Sequence, residues 1–357
     1  MGRGPDAPDA VSTVGSPTGL MSRGWRTWSG PIFGLAVLAA ILLAGLIYSV
    51  HMPGKTHRGP LLPLSAEEAR IRDRLATHVE TLAGRIGERN LWHYPALLAA
   101  ADYIQGTLTE LGYAPTDESF ESQGKPVHNI VAERRGDSAP GEIVLVGAHY
   151  DTVRGSPGAN DNGSGVAALL ELARLLADQS LPRTVRLVAF VNEEAPFSYS
   201  SEMGSVVHAQ GARARGERIQ AMLSLETIGS YSDAPGSQHY PFPLSLVYPD
   251  TANFIGFVGN LSSRKLVRQA LRTFRQTTAF PSEGAAVPAW IRGVGWSDHW
   301  SFWQAGYPAI MVTDTAFFRY DYYHTGGDTP DRIDYERMAR VVAGLSRVIA
   351  ELAESKR

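Results

Sequence analysis

The 357-residue chain carries 33 basic and 36 acidic residues, a formal net charge of −3, and no cysteine. That balance offers no polyanion-binding surface, and no basic run interleaved with aromatic residues suggests nucleic acid. The missing thiols exclude disulfides, thiolate metal ligands and cysteine nucleophiles, while the length leaves room for one large domain built on a sheet with helices on both faces.

Residues 1–30 are rich in Gly, Pro, Ser and Thr with scattered apolar positions, a pattern expected to lack stable structure. Residues 31–50 contain the uncharged run Ile32–Val50, which at 1.5 Å per residue nearly crosses a hydrocarbon layer of about 30 Å. The sequence Ser49-Val-His-Met is a poor small-residue cleavage site, so the run reads as an uncleaved, single-pass transmembrane signal-anchor, with a cleaved signal peptide and a buried helix as the competing readings. Arg23 and Arg26 precede it and Lys55 and Arg58 follow it, so flanking charge is nearly balanced. Residues 51–64, with Pro53, Pro60 and Pro63, read as a linker into a domain covering 65–357.

Within that domain, Ser65 and Glu68 have capping-box spacing at the start of a helix expected to reach about Ile86. Tyr94–Leu111 is a second amphipathic helix, and Phe120–Glu133 is expected to hold edge strands. Ile143–Ala148 is a short, nearly all-apolar and β-branched run, which suits a strand covered on both faces. His149 and Asp151 lie just past its end, the edge where open α/β sheets bind ligands. A glycine-rich stretch then brings Asp161-Asn-Gly-Ser-Gly, followed by a buried helix over Val166–Leu176. Asp161 near a helix start has a simpler reading as a cap, because free backbone N–H groups favour negative charge there.

Three further strands end in the same way. Thr184–Val191 leads into Asn192-Glu193-Glu194, Ala221–Leu225 leads into Glu226, and Ala309–Val312 leads through a short loop to Tyr323-His324-Thr325. Tyr231–Phe257 is a long connection rich in proline and aromatics, Leu261–Thr278 and Tyr335–Ala353 read as helices, and no short repeat is visible. Acidic or imidazole residues after four hydrophobic strands point to convergence on one sheet edge. His149, Asp161, Glu194, Glu226 and His324 then offer oxygen and nitrogen donors without sulfur, which suits paired Zn²⁺ and admits Mn²⁺ or Co²⁺. Two such ions bridged by a carboxylate and a water would polarise a carbonyl and generate hydroxide. Asp151 is placed to fix the tautomer of His149, and Glu193 to move a proton as general base.

These elements together resemble the M28 family of zinc metallopeptidases: His149-x-Asp151, the segment Gly158–Gly165, Asn192-Glu-Glu194, Ser297-Asp-His299 followed by Phe302, and Tyr323-His-Thr325 with Asp328-Thr329. The resemblance spans roughly residues 120–355 in the family's order. It implies a mixed, mostly parallel central sheet with helices on both faces, here preceded by one N-terminal transmembrane helix. It also implies that His149 and Glu226 bind one zinc, Glu194 and His324 the other, and Asp161 both, with Glu193 as base and Asp151 as partner of His149. Two features depart from the family pattern. The loop after Glu194 is longer, through Pro196, Phe197 and Tyr199, and Glu226 stands where many relatives have Asp.

The resemblance implies a metalloexopeptidase that takes peptides with a free N-terminus. Two alternatives stand beside it: a glutaminyl-cyclase-like acyltransferase with one working zinc, and a non-catalytic ectodomain that keeps the fold. Asp298 and His299 are candidate groups near the site, and Tyr322 or Tyr323 a candidate oxyanion donor. A single span ahead of a hydrolase, with only four lysines among the basic residues, suits a bacterial cell membrane with the catalytic domain periplasmic or extracellular. The oligomeric state is left open.

Overall fold

The computed structural model describes Met1 and residues 29–354, and the chain divides into two units at Tyr48/Ser49. Residues 2–28 of the segment read as unstructured, including Arg23 and Arg26, lie outside the described residues. In the first unit a helix begins (α1, Ser29–Val50) whose Ile32–Val50 stretch is long and apolar enough to cross a membrane, a test that a signal sequence also meets. Ile32, Phe33, Leu35, Ile41, Leu42 and Leu43 all lie exposed along it.

The second unit is built on one eight-stranded sheet. Its strands are β1 (Thr116–Ser122), β2 (Lys125–Arg134), β3 (Ala139–His149), β4 (Arg183–Phe190), β5 (Arg218–Glu226), β6 (Ile255–Gly259), β7 (Ser282–Ala286) and β8 (Ala309–Thr313). The order is β1-β2-β4-β3-β5-β8-β6-β7. The four central strands run parallel, whereas β2 meets β4 and β6 meets β8 antiparallel, so the sheet is mixed and mostly parallel. The chain leaves β3 for β4 on one side, and β5 returns to the other side of β3. This reversal leaves a crevice at the carboxyl ends of the strands.

The helices are α2 (Ala66–Val79), α3 (Tyr94–Glu110), α4 (Gly165–Leu176), α5 (Gly204–Ala214), α6 (Arg264–Thr277), α7 (His299–Gln304) and α8 (Tyr335–Glu354). Side chains alternate along a strand, and in β3 Val144, Val146 and Ala148 join a core with Leu169 and Leu172 of α4 and Val341 and Leu345 of α8. Ile143 and Leu145 point the other way, toward Ala209 and Ala212 of α5 and Phe302 of α7. Both faces are therefore covered, as the unbroken apolar run in β3 requires. The capping box at α2 is formed, with Glu68 N–H donating to Ser65 Oγ and Ser65 N–H to Glu68 Oε2.

The segment read as a linker is held against the domain. Arg268 donates to the carbonyl of His51, Arg275 to those of Pro53 and Gly54, and Arg340 to that of Leu62. Thr56 Oγ1 accepts from the N–H of Ser282 at the edge strand β7, so this strap occupies part of a sheet edge.

Buried His78 on α2 shares a 2.6 Å hydrogen bond with the hydroxyl of Tyr103, and burial, helped by nearby Arg74, pushes its pKa down to about 4. The folded pKa lies below the unfolded one, so stability is lost as pH falls from about 6.5 toward 4, by about 3 kcal/mol for a shift of this size. Denaturant titrations at pH 7 and pH 4 should show the native chain losing about that much more than a His78→Gln variant. Equal losses in the two proteins would contradict the assignment.

Candidate metal centre

Four strands deliver the site. His149 is the last residue of β3, Glu193 and Glu194 follow β4, Glu226 ends β5, and His324 stands in the loop beyond β8. Asp161 lies in the turn before α4, where φ and ψ leave the helical range at Asp161 and Asn162 and the peptide between them is cis. Asp161 makes no side-chain cap to α4, so its carboxylate is free to face the crevice.

All five predicted donors come together. His149 Nε2 is 3.4 Å from Asp161 Oδ1 and 3.3 Å from Glu226 Oε2. His324 Nε2 is 2.9 Å from Asp161 Oδ2 and 3.4 Å from Glu194 Oε2. The result is two donor groups, His149/Asp161/Glu226 and Asp161/Glu194/His324, which share Asp161. Donors each about 2.1 Å from one tetrahedral zinc lie about 3.4 Å apart, so the spacing suits this ion. His149 Nε2, Asp161 Oδ2 and Glu194 Oε1 are buried without a hydrogen bond of acceptable geometry. Native proteins rarely leave such atoms unmatched, and cations held by the two groups would give them partners.

Charge makes the same point. Burial raises Glu193 well above the usual carboxylate range, with Glu226, Glu194 and Asp298 adding to the lift, and raises Glu194 to about 7. Burial alone would depress the imidazoles, yet the surrounding carboxylates hold His149 well above its ordinary value and His324 up at about 11. Burial also opposes ionisation of Asp161, but the two imidazoles keep it below the ordinary range. The cluster gathers positive charge wherever it can.

Asp151 has a broader role than its spacing suggests. The nearest acceptor to His149 Nδ1 is the backbone carbonyl of Asp151 at 3.2 Å, with the carboxylate at 3.6 Å. That carboxylate accepts from the N–H groups of Glu193 and Glu194 at 3.0 and 3.2 Å, fixing the turn that presents both glutamates. Glu193 Oε2 stands 3.9 Å from His149 Nε2 and belongs to neither donor group.

Several supports were not singled out from sequence. Asp328, noted only as part of a motif, accepts from the N–H groups of Asn160 and Asp161 at 2.8 and 3.0 Å and from Tyr320. Asn160 bonds Asp314 and the N–H of Gly229, and Asn162 bonds Leu225 and Thr227, tying the turn to the end of β5. Arg89, fully buried, donates to the carbonyls of Tyr150, Pro157 and Gly158 at 2.7, 2.6 and 2.9 Å. Gly158 has φ +64, and a Cβ there would meet Thr152 at 2.4 Å and Asp161 O at 2.5 Å, so only glycine fits. Asn192, Thr227 and His324 also hold positive φ, a conformation that costs about 1–3 kcal/mol and here flanks or belongs to the donor set.

The other candidates divide. Asp298 is fully buried, its carboxylate unpartnered and raised by burial to about 7, whereas His299 is packed against Trp303 with Nε2 2.7 Å from the carbonyl of Val294. Tyr323 stacks on His324 and its phenol is raised first by burial and then by Asp161 and the site glutamates. Tyr322 lies under Arg332 instead. Ser297 donates to Glu226 Oε2 at 2.8 Å. In the longer loop Phe197 is buried against Trp92, while Tyr199 reaches the carbonyl of Gly295 and the ring of Trp300, forming a wall beside the glutamates.

The mixed sheet with its covering helices is the fold of the zinc aminopeptidases. The chain belongs to peptidase family M28, whose family model matches residues 129–349. It is 41% identical over 294 residues to the uncharacterized protein YfbL of Escherichia coli K12, covering 80% of this chain and 88% of that one. It is 27% identical to leupeptin-inactivating enzyme 1 of Streptomyces exfoliatus, covering 78% of this chain and 54%, about half, of that enzyme. Among solved structures, the aminopeptidase from Aneurinibacillus sp. strain AM-1 aligns with TM-score 0.62 at 15% identity, covering 82% of this chain and 96% of that one. The glutaminyl cyclase of Fimbriiglobus ruber aligns with TM-score 0.60 at 20% identity, covering 84% and 99%. At these identities the structural likeness speaks for the fold, which aminopeptidases and cyclases share.

Replacing Arg89 with Met should strand the carbonyls of Tyr150, Pro157 and Gly158 and lower unfolding stability by about 3 kcal/mol or more. Denaturant unfolding measures it. A loss below about 1 kcal/mol would show that Arg89 does not hold this loop.

Proposed function

We propose that this chain is a zinc-dependent aminopeptidase that hydrolyses the first amide bond of peptides with a free amino end. The observation that supports it is the pair of donor groups sharing Asp161, with the unshared carboxylate of Glu193 beside them. On this reading His149 and Glu226 hold one ion, Glu194 and His324 the second, and Asp161 both. Zinc fits these oxygen and nitrogen donors, and Mn²⁺ or Co²⁺ would also be accepted. Bound there, the metal supplies a polarised carbonyl and an acidified water.

The remaining work falls to the chain's own residues. Glu193 takes a proton from the attacking water and returns it to the departing amide nitrogen, so that an acid and an amine leave. Asp151 keeps Glu193 and Glu194 presented through their backbone N–H groups and keeps His149 oriented. Tyr323, a phenol held protonated, donates toward the oxygen that gains charge when the carbonyl is attacked. The substrate's free amine sits against a site carboxylate, and the aromatic residues at 195–203 and 231–257 favour an apolar first residue. The complete donor set and Glu193 argue against a non-catalytic ectodomain. We further read α1 as an uncleaved anchor in a bacterial membrane, with the catalytic domain on the periplasmic or extracellular side.

Zinc-loaded protein offered aminoacyl amides, their N-acetylated counterparts and N-terminal-glutamine peptides should release the first residue from free-amine substrates alone, with chelation abolishing activity and zinc restoring it. Equal cleavage of acetylated substrates would reject the exopeptidase reading, and pyroglutamate with ammonia as sole products would move the assignment to a cyclase. Glu193→Gln should keep fold and zinc yet lose turnover by about 10²–10⁴-fold. Near-native turnover in that variant would remove Glu193 from the proton-transfer role.

A further inference from the structure

The strap at residues 51–59 meets two loops and a helix whose surfaces the peptidase reading leaves unexplained. Met52 lies against Gly284 of β7, where a Cβ would stand 3.2 Å from Met52 Cγ. Tyr248 donates to the carbonyl of the same glycine at 2.6 Å. Met52 is two residues beyond the end of the apolar run at Val50, so chain length alone keeps it within about 7 Å of that end. The loop 240–249 therefore begins its packing almost at the point where the apolar run stops.

That loop and its neighbour expose large apolar side chains. Phe242 is 82% exposed, Leu246 74% and Trp290 84%. Single exposed apolar residues are ordinary, but these project from loops 240–249 and 287–294, which a small core of Val287 and Val294 with Tyr248 and Ile291 holds together. Aromatic rings with apolar bodies are the residues that settle at a membrane–water interface.

Beside the strap, α6 carries Arg264, Lys265, Arg268, Arg272 and Arg275, whose helical positions fall within about a 100° sector at 3.6 residues per turn. No acidic residue occurs in this helix, and Lys265 and Arg272 are exposed. Arg268 and Arg275 grip the carbonyls of His51, Pro53 and Gly54, which places this cationic stripe at the same exit point. Basic side chains near a membrane surface are drawn to anionic lipid.

We propose that the catalytic domain lies against an anionic lipid surface through the tips of loops 240–249 and 287–294 and the basic stripe of α6. The proposal rests on the reading of α1 as a membrane anchor. Phe242, Leu246 and Trp290 enter the interface, and Lys265 and Arg272 face the headgroups. A lipid layer is favoured over a protein partner because the strap that continues the apolar run is packed against the strand that Tyr248 bonds and is gripped by the basic helix, so chain continuity, apolar tips and cationic charge belong to one region of the domain.

The chain has no cysteine, so a cysteine at Leu246 gives a unique attachment point for an environment-sensitive dye. Full-length L246C is reconstituted in phosphatidylcholine vesicles with and without phosphatidylserine, each carrying spin-labelled lipid, beside E110C at the exposed end of α3 as control. The dye at 246 should be blue-shifted and quenched severalfold more than at 110. Quenching should increase with phosphatidylserine and fall when Lys265→Glu and Arg272→Glu are combined. Equal quenching at 246 and 110 overturns the proposal, as does shielding at 246 that arises only on adding a peptide substrate. Alkaline extraction of the same vesicles separates the two readings. A chain that resists extraction with an unquenched dye at 246 sinks the lipid surface and spares the anchor. A chain that is extracted sinks the anchor, and renewed quenching when it is returned to vesicles would support the lipid surface on its own.

Discussion

Buried negative charge is the constraint around which this molecule is arranged. Asp161, Glu194 and Glu226 are each at most 5% exposed and face one another across a single crevice. Carboxylates held from water that closely repel, and each must lose its charge or find a counter-charge. Two imidazoles supply part of the answer, and the unmatched donor atoms of His149, Asp161 and Glu194 mark the place for the rest. Burial of an ionised cluster weakens a fold unless a cation repays it, so the donor set makes sense as a site whose folding and metal binding are linked.

The parallel strands explain why this cluster can form. Four adjacent strands end at one edge, and side chains at or after those ends, His324 by way of a longer loop, reach the same space. What fixes the orientations is a layer of backbone-directed bonds. Asp151 organises the turn at Glu193 and Glu194, Asp328 holds Asp161 by its backbone, and Asn160 and Asn162 tie that turn to β5. Arg89 does for the loop at 150–158 what these carboxylates and amides do elsewhere, offering a fixed fork of donors to carbonyls that no strand can reach. Burial pushes its pKa down to about 10, a shift that the field of Asp328, Asp151, Asp161 and Glu194 opposes by favouring the charged form.

Much of this was legible in the sequence because central strands announce themselves. β3, β4, β5 and β8 are short apolar runs, and residues at or after their ends are the ones that meet in the crevice. The five candidate donors, the helices α2, α3, α4, α6 and α8 and the strands β1 and β2 followed from the same patterns, although only β1 lies at an edge and β2 is paired on both sides, with β1 and β4. β7 did not, since Ser282-Glu-Gly-Ala-Ala286 has neither β-branched residues nor alternation, and it exists because β6 and the strap supply its partners. β6 is five residues with glycine at two of them, at the end of a connection read as irregular. Helix α5 carries Gly204 and Gly211, which blurred its periodicity. Arg89 was invisible for a different reason: nothing local in a sequence reveals which distant carbonyls one guanidinium will serve.

The central claim is that Asp161 joins two metal positions. Anomalous scattering at the zinc edge from zinc-loaded crystals measures it directly. The account predicts two peaks, both about 2 Å from Asp161 oxygens, one beside His149 and Glu226 and the other beside Glu194 and His324. A single peak, or peaks that do not touch Asp161, would contradict it.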